Sequence, residues 1–334
     1  MGSRWIILPC LLAVLFGLNI SMGSVSIPFS EVIAILSGNE SDPIYRDIVL
    51  EFRLTKALTC ILAGGSLAIA GLQMQTLFRN ALAGPDVLGL TSGASLAVSL
   101  VFMGHASALS FWSSPGPWGI AITASLGCAA VFIIMMIISR RLQDNVSLLI
   151  IGLMIGACTS SIVSVLQYLS RAEDMQTYLI WTFGSLGGLN WTEIKILTLI
   201  LVIATALAFG SSKALNAWML GDNYAQSIGI NTRRSRFWII LSACLLTGAV
   251  TAFCGPIAFV GLAVPHLVKL VVQSNNHKVL IPTVLLGGAS LLLFCDILSQ
   301  LPGSINVLPI NAITALIGAP VVVWVILHHK RIHQ

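Results

Sequence analysis

Two ionisable side chains stand out inside the long apolar stretches of this chain: His266, in the run Val264-Pro265-His266-Leu267, and Asp296. A histidine in such a setting could ligate a metal or a haem iron, and a carboxylate there could take part in a proton relay. Neither chemistry finds its partners. No second His, Cys or Met stands at a ligand spacing from His266, so helix packing or a hydrogen bond is the preferred role. Asp296 is the only clear carboxylate within an apolar segment, near its outer end, which argues against an ion-coupled carrier built on a chain of acids. The seven cysteines, Cys10, Cys60, Cys128, Cys158, Cys244, Cys254 and Cys295, lie in apolar segments without metal-like spacing and read as small core residues. The phosphate-binding Gly-x-x-x-x-Gly-Lys-Ser/Thr is missing, as are His-Glu-x-x-His and Gly-x-Ser-x-Gly, so an enzyme has almost no support.

The elements that carry these residues must be membrane helices. Hydrophobic residues make up 57% of the 334 and charged residues 9%, where a soluble domain has roughly 25% charged. Apolar windows long enough to cross about 30 Å of hydrocarbon recur at 5–22, 54–77, 87–104, 117–138, 146–166, 194–210, 237–254, 256–273, 279–299 and 308–327. The expected fold is therefore an all-α polytopic membrane protein with about ten transmembrane helices in a single domain spanning 1–334. The first window, which follows Arg4, lacks a convincing cleavage pattern and is taken as a retained helix. With the N-terminus in the cytoplasm, twelve of the 17 Lys and Arg fall on the cytoplasmic side and five outside, which favours that orientation and a cytoplasmic C-terminus. Residues 175–188, apolar but broken by glycine, read as a re-entrant or partial helix. Spans two to five start outside and spans seven to ten start inside, the arrangement of an inverted four-helix repeat.

Between these helices lies a stretch too polar for lipid: Leu220-Gly221-Asp222-Asn223-Tyr224-Ala225-Gln226-Ser227-Ile228-Gly229-Ile230, followed by Thr232-Arg233-Arg234-Ser235-Arg236. Glycines at both ends, Asp222 as an N-cap and a short run over 224–228 predict a small helix outside the bilayer. The arginine count puts it in the cytoplasm, as the centre of an insert over 211–236. An element of this kind in a membrane protein suits docking to another protein.

Four blocks resemble one family along most of the chain. They are the run from Arg79-Asn80-Ala81-Leu82-Ala83-Gly84-Pro85 to Ala94, the Gly221 to Ile230 insert, Gly255-Pro256-Ile257-Ala258-Phe259-Val260-Gly261 with Val264-Pro265-His266, and Leu316-Ile317-Gly318-Ala319-Pro320. The resemblance is to the FecCD-type permease subunits of bacterial ABC importers for ferric siderophores, haem and cobalamin. It implies a type II importer fold, an inner-membrane location and a homodimer or a pair with a related permease. It also implies two cytoplasmic ATPase subunits and a periplasmic or lipid-anchored binding protein. Cofactors would be absent from this chain, with ATP and Mg held by the partner ATPase. By the same resemblance Leu220, Gly221, Asp222, Ala225, Ile228 and Gly229 would couple to the ATPase. Arg53 and Lys56 would dock the binding protein, within Arg53-Leu54-Thr55-Lys56 where the family has Arg-Leu-Pro-Arg; a further family arginine is replaced by Gln300. Asn80 with Leu82, and Asp144 with Asn145, would form a cytoplasmic gate, although turn capping explains Asn80, Asp144 and Asn145 equally well. The expected function is ATP-driven alternating access for such a cargo, the alternative being a secondary carrier that works without an ATPase.

Overall fold

A long apolar helix, α4 (Leu54–Leu77), runs through the middle of the protein and is buried along almost its whole length. The computed structural model describes residues 4–23, 25, 27–39, 42–103, 116–142, 145–300 and 307–329. Before α4 come α1 (Arg4–Ser21), α2 (Phe29–Leu36), α3 (Pro43–Asp47) and a π-helical stretch over Ile48–Arg53 that runs straight into α4. A 3-10 turn at Pro85–Leu88 leads to α5 (Leu90–Met103), then α6 (Pro117–Arg141), α7 (Asn145–Leu169) and α8 (Ala172–Thr182). Next are α9 (Trp191–Gly210), α10 (Ser212–Trp218), α11 (Asp222–Ser227), α12 (Thr232–Cys254), α13 (Val260–Val272), α14 (His277–Ser299) and α15 (Ile310–His329).

A helix lies over each expected span. Six helical stretches are long and apolar enough to cross a bilayer: the continuous 43–77 run that includes α4, with α6, α7, α9, α12 and α14. The apolar parts of α1, α5, α13 and α15 are shorter. Outer helices present Leu126, Ile133, Leu199 and Val202 outward, as expected where lipid rather than water is the solvent.

The packing repeats. α4 lies on α14 and α13, while α12 lies on α6 and α5; α5 packs on α6 and α7, as α13 does on α14 and α15. Exchanging α4 through α7 for α12 through α15 therefore maps one set of contacts onto the other, as an internal four-helix repeat requires. Glycines set the close crossings: a methyl on Gly71 would fall on the carbonyl oxygen of Gly261, one on Gly64 on that of Gly288, and one on Gly127 on that of Gly93.

The second helix of each repeat follows irregular backbone, a 3-10 turn before α5 and a longer break before α13. α12 ends at Cys254 with Gly255 (φ 74°) as its cap, and α13 begins only after Phe259, itself left-handed at φ 67°. Broken backbone is tolerated at such depth only if its polar groups find partners. Asn311 Oδ1 accepts from the Ala258 N–H at 3.1 Å, and the Ser185 N–H donates to the Cys254 carbonyl at 2.8 Å. The segment expected to be re-entrant is thus α8 followed by a glycine turn, Gly184 at φ 73°, that closes over the break. Of the cysteines, Cys60, Cys128, Cys244, Cys254 and Cys295 are buried as expected; Cys10 and Cys158 instead lie exposed.

Candidate functional site

The polar insert folds as a fixed helix followed by a looser one. On α10, Asn216 Oδ1 accepts from the His277 N–H at 2.9 Å and from its Nδ1 at 2.7 Å, leaving Nε2 2.9 Å from the Thr76 hydroxyl. This ties α10 to the start of α14 and the end of α4. Trp218 Nε1 donates to Ser235 Oγ at 3.0 Å, and the Arg236 guanidinium lies 5.6 Å from the Trp218 ring centroid. Arg236 also donates to the Leu142 carbonyl at 3.0 Å.

Beyond Trp218 the chain is freer. Gly221, at φ 106°, is the N-cap of α11, so Asp222 is the first helical residue and not the cap expected for it. The helix starts two residues earlier than expected. Its other end closes on Gly229 (φ 85°): the Gly229 N–H bonds to the Gln226 carbonyl and the Ile230 N–H to that of Ala225, the left-handed stop that favours glycine. Ala225 is fully buried, whereas Leu220, Tyr224 and Ile228 are exposed at a spacing of four. Tyr224 stands on the helix with Ile228 one turn on at its C-cap, and Leu220 flanks them just before Gly221. Tyr224 had not been singled out for this site; the Leu220, Tyr224, Ile228 spacing was the available signal.

Leu220 and Tyr224 border a hollow whose other wall is the loop after α4. α4 stops with Arg79 in the left-handed region at φ 49°, its N–H bonded to the Thr76 carbonyl and the Asn80 N–H to that of Gln75. Glycine usually fills such a position, because a side chain there costs about 1 kcal/mol or more. A methyl on Gly221 would stand 3.4 Å from Arg79 Nη1, so the guanidinium covers the start of α11. The two elements enclose a hollow of about 550 Å³ with Phe78, Val146 and Asn223 on its wall. Asn80 Oδ1 accepts from the Leu82 N–H at 2.9 Å, a turn-capping bond, and Leu82 projects outward. Asp144 lies outside the described residues, and Asn145 begins α7. His266 Nε2 donates to the Ala81 carbonyl at 2.8 Å, and Gln75 Nε2 to that of Leu262 at 3.1 Å, binding the loop to α13. The hydrogen-bonding role preferred for His266 is therefore what the geometry displays. Arg79 and the Ala81 carbonyl were not singled out, because a side chain's reach across two loops leaves no local pattern.

At the opposite end Arg53 and Lys56 both turn toward partners inside the protein. Arg53 is buried, and its guanidinium donates to the carbonyls of Ile20 at 2.9 Å and Ser21 at 2.8 Å, and to that of Val25. Lys56 Nζ lies 2.9 Å from Asp296 Oδ1, while Asn19 and Gln300 each donate to Oδ2 at 2.8 Å. The physical reason is Asp296 itself: a carboxylate shielded from water needs a cation and filled lone pairs. These groups line a cleft of about 800 Å³ between α1, α4, the 184–188 turn and the start of α15.

A helical, apolar body with a short exposed helix at one end and a broad cleft at the other has the build of a multi-pass membrane protein. The FecCD transport family matches residues 11–328, and the chain belongs to that family. It is 32% identical over 313 residues to the Fe(3+) dicitrate transport system permease protein FecD of Escherichia coli K12, covering 94% of each chain. It is also 32% identical over 313 residues to the hemin transport system permease protein HmuU of Yersinia pestis, with 93% of this chain and 91% of that one covered. The vitamin B12 import system permease protein BtuC of Vibrio cholerae is 32% identical over 285 residues, 85% and 84% of the two chains. A solved metal-chelate type ABC transporter in an inward-facing conformation superposes with a TM-score of 0.84 at 26% identity, over 98% of this chain and all of that one.

Proposed function

We propose that this chain is the permease subunit of an ABC importer in the inner membrane, carrying a metal already wrapped in an organic ligand: a ferric siderophore, haem or a cobalamin. The observation that carries the reading is the unbroken line of contacts from α11 through Arg79 to the 79–82 loop and, by way of His266, to α13. In this reading the exposed side chains of Leu220, Tyr224 and Ile228 meet a groove of a cytoplasmic ATPase. Gly221 and Gly229 let α11 follow the ATPase as it closes on ATP, and Arg79 passes the displacement to the loop carrying Asn80 and Leu82. Asp222 and Ala225 orient the helix, one at its first turn and one wedged against the body. Asp144 and Asn145 complete the gate from a second permease chain or from this one. Both termini are cytoplasmic in this arrangement, as the basic residues suggest.

A second permease copy, or a related subunit, fits α7, where Ser160, Ser161, Ser164 and Tyr168 are left exposed on a helix otherwise suited to lipid. Hydroxyls on that face favour water or protein over hydrocarbon. A binding protein would dock over the 800 Å³ cleft. Lys56, partly exposed at its rim, is the charge it reaches, while Arg53 holds the floor.

The test is uptake into liposomes containing the permease with its co-purifying ATPase, supplied with binding protein and with ferric siderophore, haem or cobalamin in turn. ATP-dependent accumulation of one cargo is the expected result. Accumulation that continues without ATP and collapses with the ion gradient would overturn the reading in favour of a secondary carrier.

A further inference from the structure

The seam between α9 and α12 carries two cavities, one following the other. The first, about 410 Å³, lies at the α11 end and is bounded by Gly210, Ser211, Asn231, Arg234 and Trp238 among others. A methyl on Gly210 would meet nothing within 4 Å, so the notch is open where the glycine stands. Arg234 is exposed, and among the described residues no carboxylate lies within ion-pair distance of it. The second cavity, about 300 Å³ and almost wholly apolar, lies between α6, α9 and α12, with Phe132, Ile200, Leu241 and Leu245 on its walls.

The two follow one face of each helix. Leu207 and Ile200 stand seven residues apart on α9, and Trp238, Leu241 and Leu245 recur at the helical spacing on α12. From Arg234 to Leu245 the helix climbs about 16 Å, close to one leaflet of a hydrocarbon core of about 30 Å. A cation and a tryptophan at one end of an apolar slot of that length match the boundary between headgroup and acyl chain.

We propose that this seam is a binding site for one anionic phospholipid. Its phosphate lies against the Arg234 guanidinium, with the Asn231 amide as second donor, and one acyl chain lies between α6, α9 and α12. Asn231 is free to donate because its Oδ1 is occupied by the Arg234 N–H. Arg233, one residue away and outside the cavity lining, has no part in the site. The lipid would brace the helices that flank α10 and α11, and the site stands whether or not the transport reading holds.

The full-length protein, purified in a mild detergent, would be titrated with phosphatidylglycerol, with phosphatidylcholine of the same chains, and with glycerol phosphate, and bound species counted by native mass spectrometry. Phosphatidylglycerol should be retained on the order of tenfold more tightly than phosphatidylcholine, a preference Arg234→Gln removes and Arg233→Gln leaves intact. Ala129→Trp, at an exposed position on the slot wall, should weaken retention of both lipids. Equal retention of the two lipids, or no response to Arg234→Gln in a variant that melts like the parent, would overturn the site. Glycerol phosphate binding as tightly as the lipid would replace the lipid with a free phosphate ester.

Discussion

Replacing Lys56 with Met keeps the aliphatic stem and removes the one cation facing Asp296. The carboxylate is 3% exposed, and its Oδ1 loses the partner at 2.9 Å, while Oδ2 keeps Asn19 and Gln300. Stripping one member from a buried pair costs about 3–5 kcal/mol. Lys56 itself is 19% exposed, so solvent already screens part of the attraction. The expected loss is then about 2–3 kcal/mol, or roughly 30- to 150-fold in the folding equilibrium. With the exposed Cys10 and Cys158 replaced by serine, the buried free thiols, Cys60 and Cys295 among them, should react with a maleimide dye only on unfolding. Melting followed by dye capture should show Lys56→Met clearly destabilised. Lys56→Met with Asp296→Asn should recover to within about 1 kcal/mol of the parent, because the uncompensated charge has gone. If the single variant melts with the parent, or the double variant is as weak as the single, the internal ion pair does not hold this end together.

Three further outcomes follow from the geometry. Gly64→Leu would drive a side chain into the Gly288 carbonyl and part α4 from α14, so folded protein should not accumulate; a monodisperse peak of normal yield on size-exclusion chromatography would contradict the crossing. Gly229→Val places a β-branched residue at φ 85°, at a cost of about 2 kcal/mol on a six-residue helix. It should leave yield and melting unchanged while lowering ATP-driven uptake at least tenfold, and unchanged uptake would remove α11 from the coupling path. His266→Leu cuts the bond to the Ala81 carbonyl, whereas His266→Gln can keep a donor there. With the leucine variant the partner ATPase should hydrolyse ATP without matching uptake, and the glutamine variant should recover part of the uptake, a difference that a purely structural role would not produce.

Helix placement was legible because hydropathy over 20-residue windows responds to the solvent, and lipid leaves no choice but helix. The ends were less so. α5 and α13 start at Leu90 and Val260, a few residues after the apolar windows begin at 87 and 256, since a window cannot tell a helix from apolar backbone tied down by Asn311 or Ser185. The short helix was found from its two glycines, but its cap was misplaced: Asp222 is a common N-cap residue, and Gly221, with φ 106°, took the position on backbone grounds that no side-chain preference records. The direction of Arg53 and Lys56 was illegible for another reason. Their partners are the ends of α1 and α14, Ile20 and Ser21 for one and Asp296 for the other, separated by hundreds of residues in part.

The two repeats begin alike and end in different mechanics. Each four-helix unit is preceded by a long helix and two short ones: α1, α2 and α3 before α4, and α9, α10 and α11 before α12. In the first unit, α3 and the π-helical stretch run into α4 without a break, and Arg53 pins that junction to three carbonyls at and just beyond the end of α1. In the second, Gly221 and Gly229 interrupt the chain on either side of α11, and Ala225 is the residue that seats it. Continuous helix transmits force and resists bending, whereas glycine in positive φ lets a segment turn with little strain. Equivalent positions in one repeated plan have thus become a rigid rim around the cleft at one end and a jointed arm at the other. The arm meets the 79–82 loop at Arg79, and His266 bonds that loop to α13, whereas the rim is held at the far end of α4 by Arg53.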